Sequence, residues 1–312
     1  MKNLAPIVLF AYNRPQHTLQ TLQSLAKNIY ADASTLIVFC DGAKKDANQE
    51  DLDKIAEVRK IVKSQSWCKD LKVIEGLENK GLANSIIEGV SQVVNQYGKI
   101  IVLEDDLLTS KYFLKFMNEA LNTYELEEKV LSVGACNFFA RDEKTPETFF
   151  VPIPDCWGWA TWNDRWKLFE KDGSKLLAQL KERSLLDDFN LHGAYNYQQM
   201  LEDQIAGKNN SWAIRWQAVA YLTGKLSLYP KYAKTFNSGF DSSATHTSSF
   251  RQIFDTREML PYDTKVDKME VNVLPSVMHQ MIKGNALASG KISQESASSR
   301  ILTFLKRKLK IT

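Results

Sequence analysis

Cysteine is scarce in this chain, and the spacing of the four that occur excludes two classes of protein. Cys40, Cys68, Cys136 and Cys156 are far apart, form no Cys-x-x-Cys pair and lie mostly among apolar residues. A disulfide-stapled domain and a zinc module both need paired or closely spaced cysteines. We therefore interpret all four as reduced thiols of the core.

The chain also lacks a large excess of positive or negative charge. The 312 residues carry 40 Lys and Arg against 37 Asp and Glu, a formal net charge of +3, and both signs are interspersed. A protein that binds nucleic acid through its phosphates is normally far more basic, with clustered cations. We expect no nucleic-acid partner, and a hydrophobic share of 44% excludes a disordered chain.

Long apolar runs are missing too. The run before Asn13 and Arg14 is too short for a signal peptide or a membrane span, so we expect a cytoplasmic protein. Residues 286–299, rich in Ser, Ala and Gly, are typical of a flexible linker. Residues 300–312 have the spacing of a basic amphipathic helix, which predicts contact with the inner face of the cytoplasmic membrane. A helix docked on the protein itself and a frayed terminus are the alternatives.

Two nucleotide-binding motifs are absent as well. The chain has no Gly-rich P-loop with its Lys, and no Gly-x-Gly-x-x-Gly follows its first predicted strand. These absences exclude a P-loop NTPase and a dinucleotide-binding enzyme.

The first part of the chain alternates short β-branched runs with longer stretches of helical periodicity. This pattern predicts an α/β fold with a mostly parallel central sheet and helices on both faces. Past Phe149 the alternation ends, and four of the seven tryptophans fall within residues 157–166. The predicted strands are residues 6–10, 35–39, 71–75, 99–103 and 130–133.

Three carboxylates, Glu104, Asp105 and Asp106, directly follow the apolar strand that begins at Lys99. Ligands of open α/β sheets bind outside the carboxyl ends of the strands, so these acids lie where a hard divalent cation and its phosphate ligands would be held. A solvated turn with one acid capping the next helix is the alternative. Asp41 follows the second strand in the same way, with Gly42 supplying a tight turn.

A third strand-end loop contains Asn79, Lys80 and Gly81 and opens a helix with small residues, which allow close approach to the sheet. An ordinary strand-to-helix turn explains this tripeptide equally well. Together with Tyr12 to Arg14 after the first strand, the strand-end loops are expected to converge on one edge of the sheet.

With these residues in view, the sequence resembles the GT-A fold glycosyltransferases. The run from Pro6 through Tyr12 to Arg14 and the acidic motif at 104–106 resemble the inverting nucleotide-sugar enzymes of glycosyltransferase family two. A more distant likeness is to the Golgi N-acetylglucosaminyltransferase that initiates complex N-glycans. The resemblance implies a nucleotide-sugar-binding half at 1–135, an acceptor-binding half of the same unit at 136–285, and a linker with a basic tail at 286–312.

The resemblance further implies transfer of a hexose or N-acetylhexosamine from a nucleotide sugar, expected to be a UDP-sugar. The acceptor would be a glycan or lipid-linked saccharide of polysaccharide biosynthesis, and Mn²⁺ or Mg²⁺ the cofactor. Asp106 would bind the metal ion. The implied donor-binding residues are Tyr12, Arg14, Asp41, Asn79, Lys80, Glu104 and Asp105.

An inverting transferase needs a base to deprotonate the acceptor hydroxyl. The family carries this base in a Glu-Asp pair, which matches Glu202-Asp203 and makes Asp203 the candidate; a solvated pair on a helix surface is the alternative. Asp155 and Asp164, which flank the tryptophans, are rival candidates.

Two more features complete the predicted site. Aromatic rings suit the apolar face of a sugar, and we expect Trp157 or Trp159 to line a sugar pocket, although such rings also fill cores. The loop from Lys234 to His246 resembles a late loop of the Golgi enzyme, so His246 is expected to bind the metal or the pyrophosphate. A solvated loop histidine is the alternative.

Two other functions remain open at this point. A sugar nucleotidyltransferase also uses strand-end carboxylates and a divalent metal, but it normally has a Gly-rich loop with Arg and Lys after the first strand. A non-catalytic sugar-binding protein would use the tryptophans for recognition. Metal-dependent release of UDP distinguishes the transferase from such a sugar-binding protein.

Overall fold

The computed structural model describes residues 4–137, 143–239 and 262–288. Its strands are β1 (Ile7–Ala11), β2 (Thr35–Cys40), β3 (Asp70–Glu75), β4 (Lys99–Glu104), β5 (Leu107–Thr109), β6 (Val130–Gly134), β7 (Thr148–Val151), β8 (Trp159–Trp162), β9 (Leu226–Pro230) and β10 (Thr235–Asn237). Its helices are α1 (Pro15–Ala26), α2 (Gln49–Lys63), α3 (Leu82–Tyr97), α4 (Phe113–Thr123), α5 (Asn163–Trp166), α6 (Gly173–Glu182), α7 (Leu186–Phe189), α8 (Tyr197–Ile205), α9 (Trp212–Thr223) and α10 (Pro275–Ala288).

Eight strands form one central sheet in the order β3-β2-β1-β4-β8-β6-β9-β7. The first four are parallel, as predicted, and Leu9 of β1 pairs with Val38 on one side and with Leu103 on the other. All five residues of β1 are buried, because a parallel strand covered by helices on both faces has no solvent side. The expected α/β class with a mostly parallel sheet is confirmed.

Strand β8 joins the two parts of this sheet. It runs antiparallel to β4, with Trp159 opposite Val102 and Trp162 opposite Lys99, and its Ala160 also pairs with Val133 of β6. The tryptophan stretch therefore forms a central strand that the sequence did not predict. The expected nucleotide and acceptor halves share one sheet.

The core lies on both faces of the sheet. Helices α1, α2 and α4 pack on one face, whereas α3, α6, α8 and α9 pack on the other. Helix α3 approaches so closely that a Cβ on Gly89 would lie 2.7 Å from the ring of Phe10. The predicted use of small residues for close packing is confirmed at this position.

No helix within the described ranges is both long enough and apolar enough to span a bilayer.

Candidate active site

The order of the strands determines where a ligand can bind. The chain passes from β1 outward to β2 and β3, and then returns through α3 to β4 on the other side of β1. Phe10 pairs with Glu104, so the loop after β1 lies beside the loop after β4. Such a topological switch point opens a crevice at the carboxyl ends of the strands, which is where open α/β sheets bind ligands.

Arg14 and Asp106 form an ion pair in this crevice. Arg14 Nη1 donates to Asp106 Oδ2 at 2.7 Å, and both side chains are mostly buried. Arg14 Nη2 also donates to the carbonyl oxygen of Gly239 at 3.1 Å. The structure thus brings together two predicted site residues that are 92 positions apart.

Strand β10 delivers the third member of this group. It pairs antiparallel with β5, which follows Asp106, and the backbone N–H of Ser238 donates to the Asp106 carbonyl oxygen at 2.8 Å. A Cβ added to Gly239 would lie 2.1 Å from Asp106 Oδ2 and 2.9 Å from Arg14 Nη1. A larger residue at this position would therefore have to displace one of these two side chains.

The second carboxylate oxygen of Asp106 is suited to a cation. Asp106 Oδ1 is buried and accepts no hydrogen bond from any residue in the described ranges. An uncompensated buried acceptor is costly, and carboxylate oxygen is the ligand type that Mg²⁺ and Mn²⁺ prefer. The predicted metal ligand thus offers an oxygen that fits such an ion.

The three strand-end acids do not converge on one point. The side chain of Glu104 is hydrogen-bonded to Trp212, and burial raises its pKa well above the usual value. Asp105 Oδ2 accepts the backbone N–H of Tyr12 at 3.2 Å, and burial together with Asp106 raises the pKa of Asp105 to about 7. Asp106 alone of the three offers a buried, unpartnered oxygen. Glu104 thus contacts helix α9, and its predicted donor contact stays a prediction.

The Asp41 carboxylate accepts hydrogen bonds from backbone groups. Its oxygens accept the N–H groups of Lys80 and Gly81, each at 3.0 Å, and that of Gly42 at 2.9 Å. The side-chain amide of Asn79 donates to the Gly42 carbonyl oxygen at 3.0 Å. Asp41 and Asn79 therefore join the loops after β2 and β3 into one wall of the crevice.

Tyr12 and Lys80 complete the predicted donor set. The phenol oxygen of Tyr12 accepts the backbone N–H of Lys44, and burial raises the pKa of the Tyr12 phenol. Tyr12 thus connects the end of β1 with the Asp41 loop. The ammonium of Lys80 is ion-paired with Glu88 at 2.6 Å, so it lies along α3 instead of turning to the strand-end acids.

Asp155, a rival candidate for the base, is buried and hydrogen-bonded to the backbone. It is 2% exposed, and its carboxylate accepts the backbone N–H groups of Ala135, Cys136 and Trp157 at 2.7–2.9 Å. Burial raises the pKa of Asp155 to about 7. These bonds hold the end of β6 against the turn that precedes β8.

Trp157 and Trp159, the two tryptophans predicted for a sugar pocket, lie in different environments. Trp159 is 1% exposed and its ring stacks on Trp212 at 5.1 Å, so its predicted place in a sugar pocket is wrong and it belongs to the core. Trp162 and Trp166 are buried as well. Trp157 is only partly buried, and its role in sugar binding stays a prediction.

The remaining candidates lie in other surroundings. Asp203 is on α8, where Lys208 and Gln199 lower its pKa, and no described contact joins it to the strand-end acids. Asp164 is exposed and ion-paired with Arg165. It follows Trp162, which is paired with the first residue of β4, so Asp164 lies at the edge opposite the crevice and is excluded as a base. His246 lies outside the described residues.

One other group of three ligand-type side chains occurs in the described ranges. Asp187, Asp188 and His192 lie within 4.8 Å of one another on α7 and the turn after it. His192 is already ion-paired with Asp187 at 2.9 Å. None of the three belongs to a strand-end loop.

Sequence analysis missed Trp212 and Cys156. Trp212 lies 108 positions after Glu104, and nothing in the chain between them signals the contact. Cys156 is partly exposed as a residue, but desolvation of its thiol, together with the charges of Asp155, Glu104 and Asp106, raises the pKa of this thiol well above its usual value. In the sequence, its position directly after Asp155 could have indicated that this thiol lies near carboxylates.

A mostly parallel sheet with helices on both faces and acids at its switch point matches the expected GT-A fold, the fold class of nucleotide-sugar transferases. The sequence model of glycosyl transferase family 2 matches residues 7–179, which is more than half of the chain. The chain therefore belongs to glycosyl transferase family 2. It is a glycosyltransferase that takes its sugar from a nucleotide sugar.

Similar solved structures are distant. UDP-glucose pyrophosphorylase complexed with UDP-glucose is 11% identical, with 77% of this chain and 94% of that chain covered and a TM-score of 0.38. TarS of S. aureus is 16% identical over 46% of this chain and 23% of its own, with a TM-score of 0.28. Mouse xyloside xylosyltransferase 1 is 9% identical over 71% and 82%, with a TM-score of 0.35. At these scores no residue role transfers, and no curated protein sequence matches the chain significantly.

Proposed function

We propose that this chain is a metal-dependent inverting glycosyltransferase that uses a UDP-sugar. The observation that carries the proposal is the group of Arg14, Asp106 and Gly239 at the switch point of the sheet. A guanidinium and a carboxylate that holds a cation are the groups that a nucleoside diphosphate requires. The acceptor is a glycan or a lipid-linked saccharide.

Asp106 is the proposed ligand of Mn²⁺ or Mg²⁺, because its Oδ1 is a buried acceptor without a described partner. When bound, the ion offsets the negative charge that develops on the diphosphate as the sugar leaves. Arg14 adds positive charge beside the same phosphates and orients them. His246 remains a proposed second metal ligand.

Asp203 remains the proposed base. The Asp203 carboxylate is ionised at neutral pH and can accept a proton, although hydrogen bonds from Lys208 and Gln199 lower its pKa and so reduce its strength as a base. If Asp203 is the base, Asp203→Asn should keep UDP binding and lose roughly a hundredfold or more of the transfer rate. Near-normal transfer would move the role to Asp155.

The decisive experiment incubates the purified chain with a panel of UDP-sugars and Mn²⁺ and measures released UDP. Asp106→Asn should abolish turnover and the Mn²⁺-enhanced binding of UDP, while the fold remains. Asp164→Asn is the matched control, since this exposed acid lies at the opposite edge of the sheet. Unchanged Mn²⁺ dependence of UDP affinity in the Asp106 variant would contradict the assignment.

The same assay distinguishes the alternatives. A sugar nucleotidyltransferase given UDP-sugar and pyrophosphate would form UTP. A non-catalytic sugar-binding protein would bind the sugar nucleotide and release no UDP. A glycosyltransferase releases UDP, and more of it when the correct acceptor is supplied.

A further inference from the structure

The loops after β2 and β3 form one connected unit. The N–H of Gly76 donates to the Cys40 carbonyl oxygen at 2.8 Å, and that of Asn79 donates to the Ala43 carbonyl oxygen at 3.2 Å. A Cβ on Gly42 would lie 2.5 Å from the carbonyl carbon of Glu78, so the two backbones are in direct contact. Any displacement of one loop therefore shifts the other.

Arg59 of α2 reaches into this unit from outside the sheet. Its Nη2 donates to the Gly76 carbonyl oxygen at 2.7 Å and lies 3.5 Å from the Asp41 carbonyl oxygen. Its Nη1 lies 3.5 Å from the carboxylate of Glu75. One planar guanidinium thus contacts the ends of both strands, which the single ammonium of a lysine cannot reproduce with the same geometry.

Core packing does not account for this arrangement. The residues that α2 buries are Ile55, Val58 and Val62, whereas the Arg59 side chain is 28% exposed. Arg59 lines a groove of about 460 Å³ between α2 and β3, together with Lys60 and Lys63. Gly76 and Asp41 both follow the last paired residues of their strands. Two of the three Arg59 contacts therefore go to the first residues of the loops after β2 and β3, and the third goes to the last residue of β3.

We propose that Arg59 is a positioning residue that sets the affinity for the nucleotide end of the donor. The inference rests on the proposed function. Arg59 holds the Asp41 loop and the loop that carries Lys80 and Gly81 in one arrangement before the donor arrives. Without it, ordering of the loops has to accompany binding, and that cost lowers affinity. The chemistry at Asp106 lies in other loops and is unaffected.

The test compares Arg59→Gln and Arg59→Lys with Lys60→Gln, a neighbouring cation of the same groove that has no described contact with the loops. We expect Arg59→Gln to raise the UDP dissociation constant and the donor KM roughly tenfold, the effect of losing one charge-assisted hydrogen bond. The kcat should change by less than about twofold, because transition-state contacts are retained. Arg59→Lys should restore only part of the affinity, and Lys60→Gln should match the wild type.

Amide hydrogen exchange without nucleotide gives an independent readout. In Arg59→Gln the amides of Gly76, Lys80 and Gly81 should exchange faster than in the wild type, while those of β1 keep their protection. Wild-type UDP affinity in this variant, or a kcat loss equal to the KM effect, would overturn the inference and leave the proposed function intact. A wild-type protein that binds no UDP would overturn both.

Discussion

The carboxylate of Asp155 accepts hydrogen bonds from the backbone of two segments, the end of β6 and the turn before β8. Asp155 Oδ2 accepts two of them, from Ala135 and Cys136, and Asp155 Oδ1 accepts that of Trp157. Gly134 is needed beside it, because a Cβ there would lie 2.8 Å from the Asp155 Cβ. A carboxylate can accept on both oxygens, whereas an asparagine can accept on one only.

Asp155→Asn should therefore destabilise the protein. The amide nitrogen of the asparagine is a donor and cannot accept the backbone N–H groups that the replaced carboxylate oxygen accepted. The free energy of unfolding should therefore fall by about 1–3 kcal/mol. Urea denaturation measures this change, with Asp164→Asn as the surface control, for which we expect less than about 0.5 kcal/mol. Equal midpoints for the two variants would contradict the anchoring role.

At the scale of single residues, several residues at the crevice could be predicted from the sequence. Arg14, Asp41 and Asp106 each follow an apolar strand, and strand ends are recognisable from the periodicity of the chain. Their partners were not predictable in the same way. Trp212 and Gly239 come from distant segments, and only the folded sheet brings them to Glu104 and Asp106.

Among the elements, the short strand β10 has the most direct effect on the site. It has only three residues, and its pairing with β5 places Ser238 and Gly239 against Asp106. The loop from Lys234 to His246 was singled out in the sequence, but its pairing with β5 was not. Three-residue strands show no periodicity to detect.

Gly239→Ala should remove activity without unfolding the protein. Its Cβ would displace the Asp106 carboxylate or the Arg14 guanidinium, so we expect Mn²⁺-enhanced UDP binding to fall at least about tenfold. Gly207→Ala is the control, because the space around Gly207 is open while its positive φ still penalises alanine. Thermal melting reports the fold and calorimetry the binding. Wild-type UDP affinity in Gly239→Ala would show that this loop is not part of the site.

Directly before β10, Lys234 is fully buried. Its ammonium donates to the Tyr262 carbonyl oxygen at 2.7 Å, and burial lowers the pKa of Lys234 to about 8, against the charges of Glu147 and Asp263. The contact holds the backbone at Tyr262 against the start of β10.

The lowered pKa of Lys234 predicts a pH dependence of stability. Between pH 8 and 10.5 the unfolded chain keeps the Lys234 proton and the folded protein loses it, so the contribution of Lys234 to the free energy of unfolding rises with pH. The full change would be about 3 kcal/mol. Urea denaturation on both sides of pH 8 should show the wild type gaining stability relative to Lys234→Met. A constant difference would show that Lys234 keeps an ordinary pKa when folded.

For the whole molecule, the parallel strands β1 to β4 and strand β6 could be predicted, whereas β7, β8 and β9 could not. Strands β1, β2 and β4 are mainly apolar runs, β3 is a shorter alternating one, and helices lie between them, a pattern that indicates parallel strands. Strands β7 to β9 are separated by irregular or helical segments of unequal length. Trp159 of β8 was a candidate for a sugar pocket because burial on both faces of this strand leaves no alternation that would indicate a strand.

The tail at 300–312 lies outside the described residues, and its membrane contact remains a proposal. The four basic residues Lys306, Arg307, Lys308 and Lys310, each contributing about 1 kcal/mol near anionic lipid, should give weak attachment that salt reverses. Co-sedimentation with anionic vesicles at low and high salt, with and without residues 300–312, measures it. Full-length protein that stays in the supernatant at low salt would refute the idea.

Strand β8 also limits how this enzyme can move. Its hydrogen bonds to β4 on one side and to β6 on the other join the parallel strands to the rest of one continuous sheet. Rotation of these two parts of the sheet as separate lobes would have to break those hydrogen bonds. Any closure over the sugar nucleotide must therefore come from segments outside the sheet.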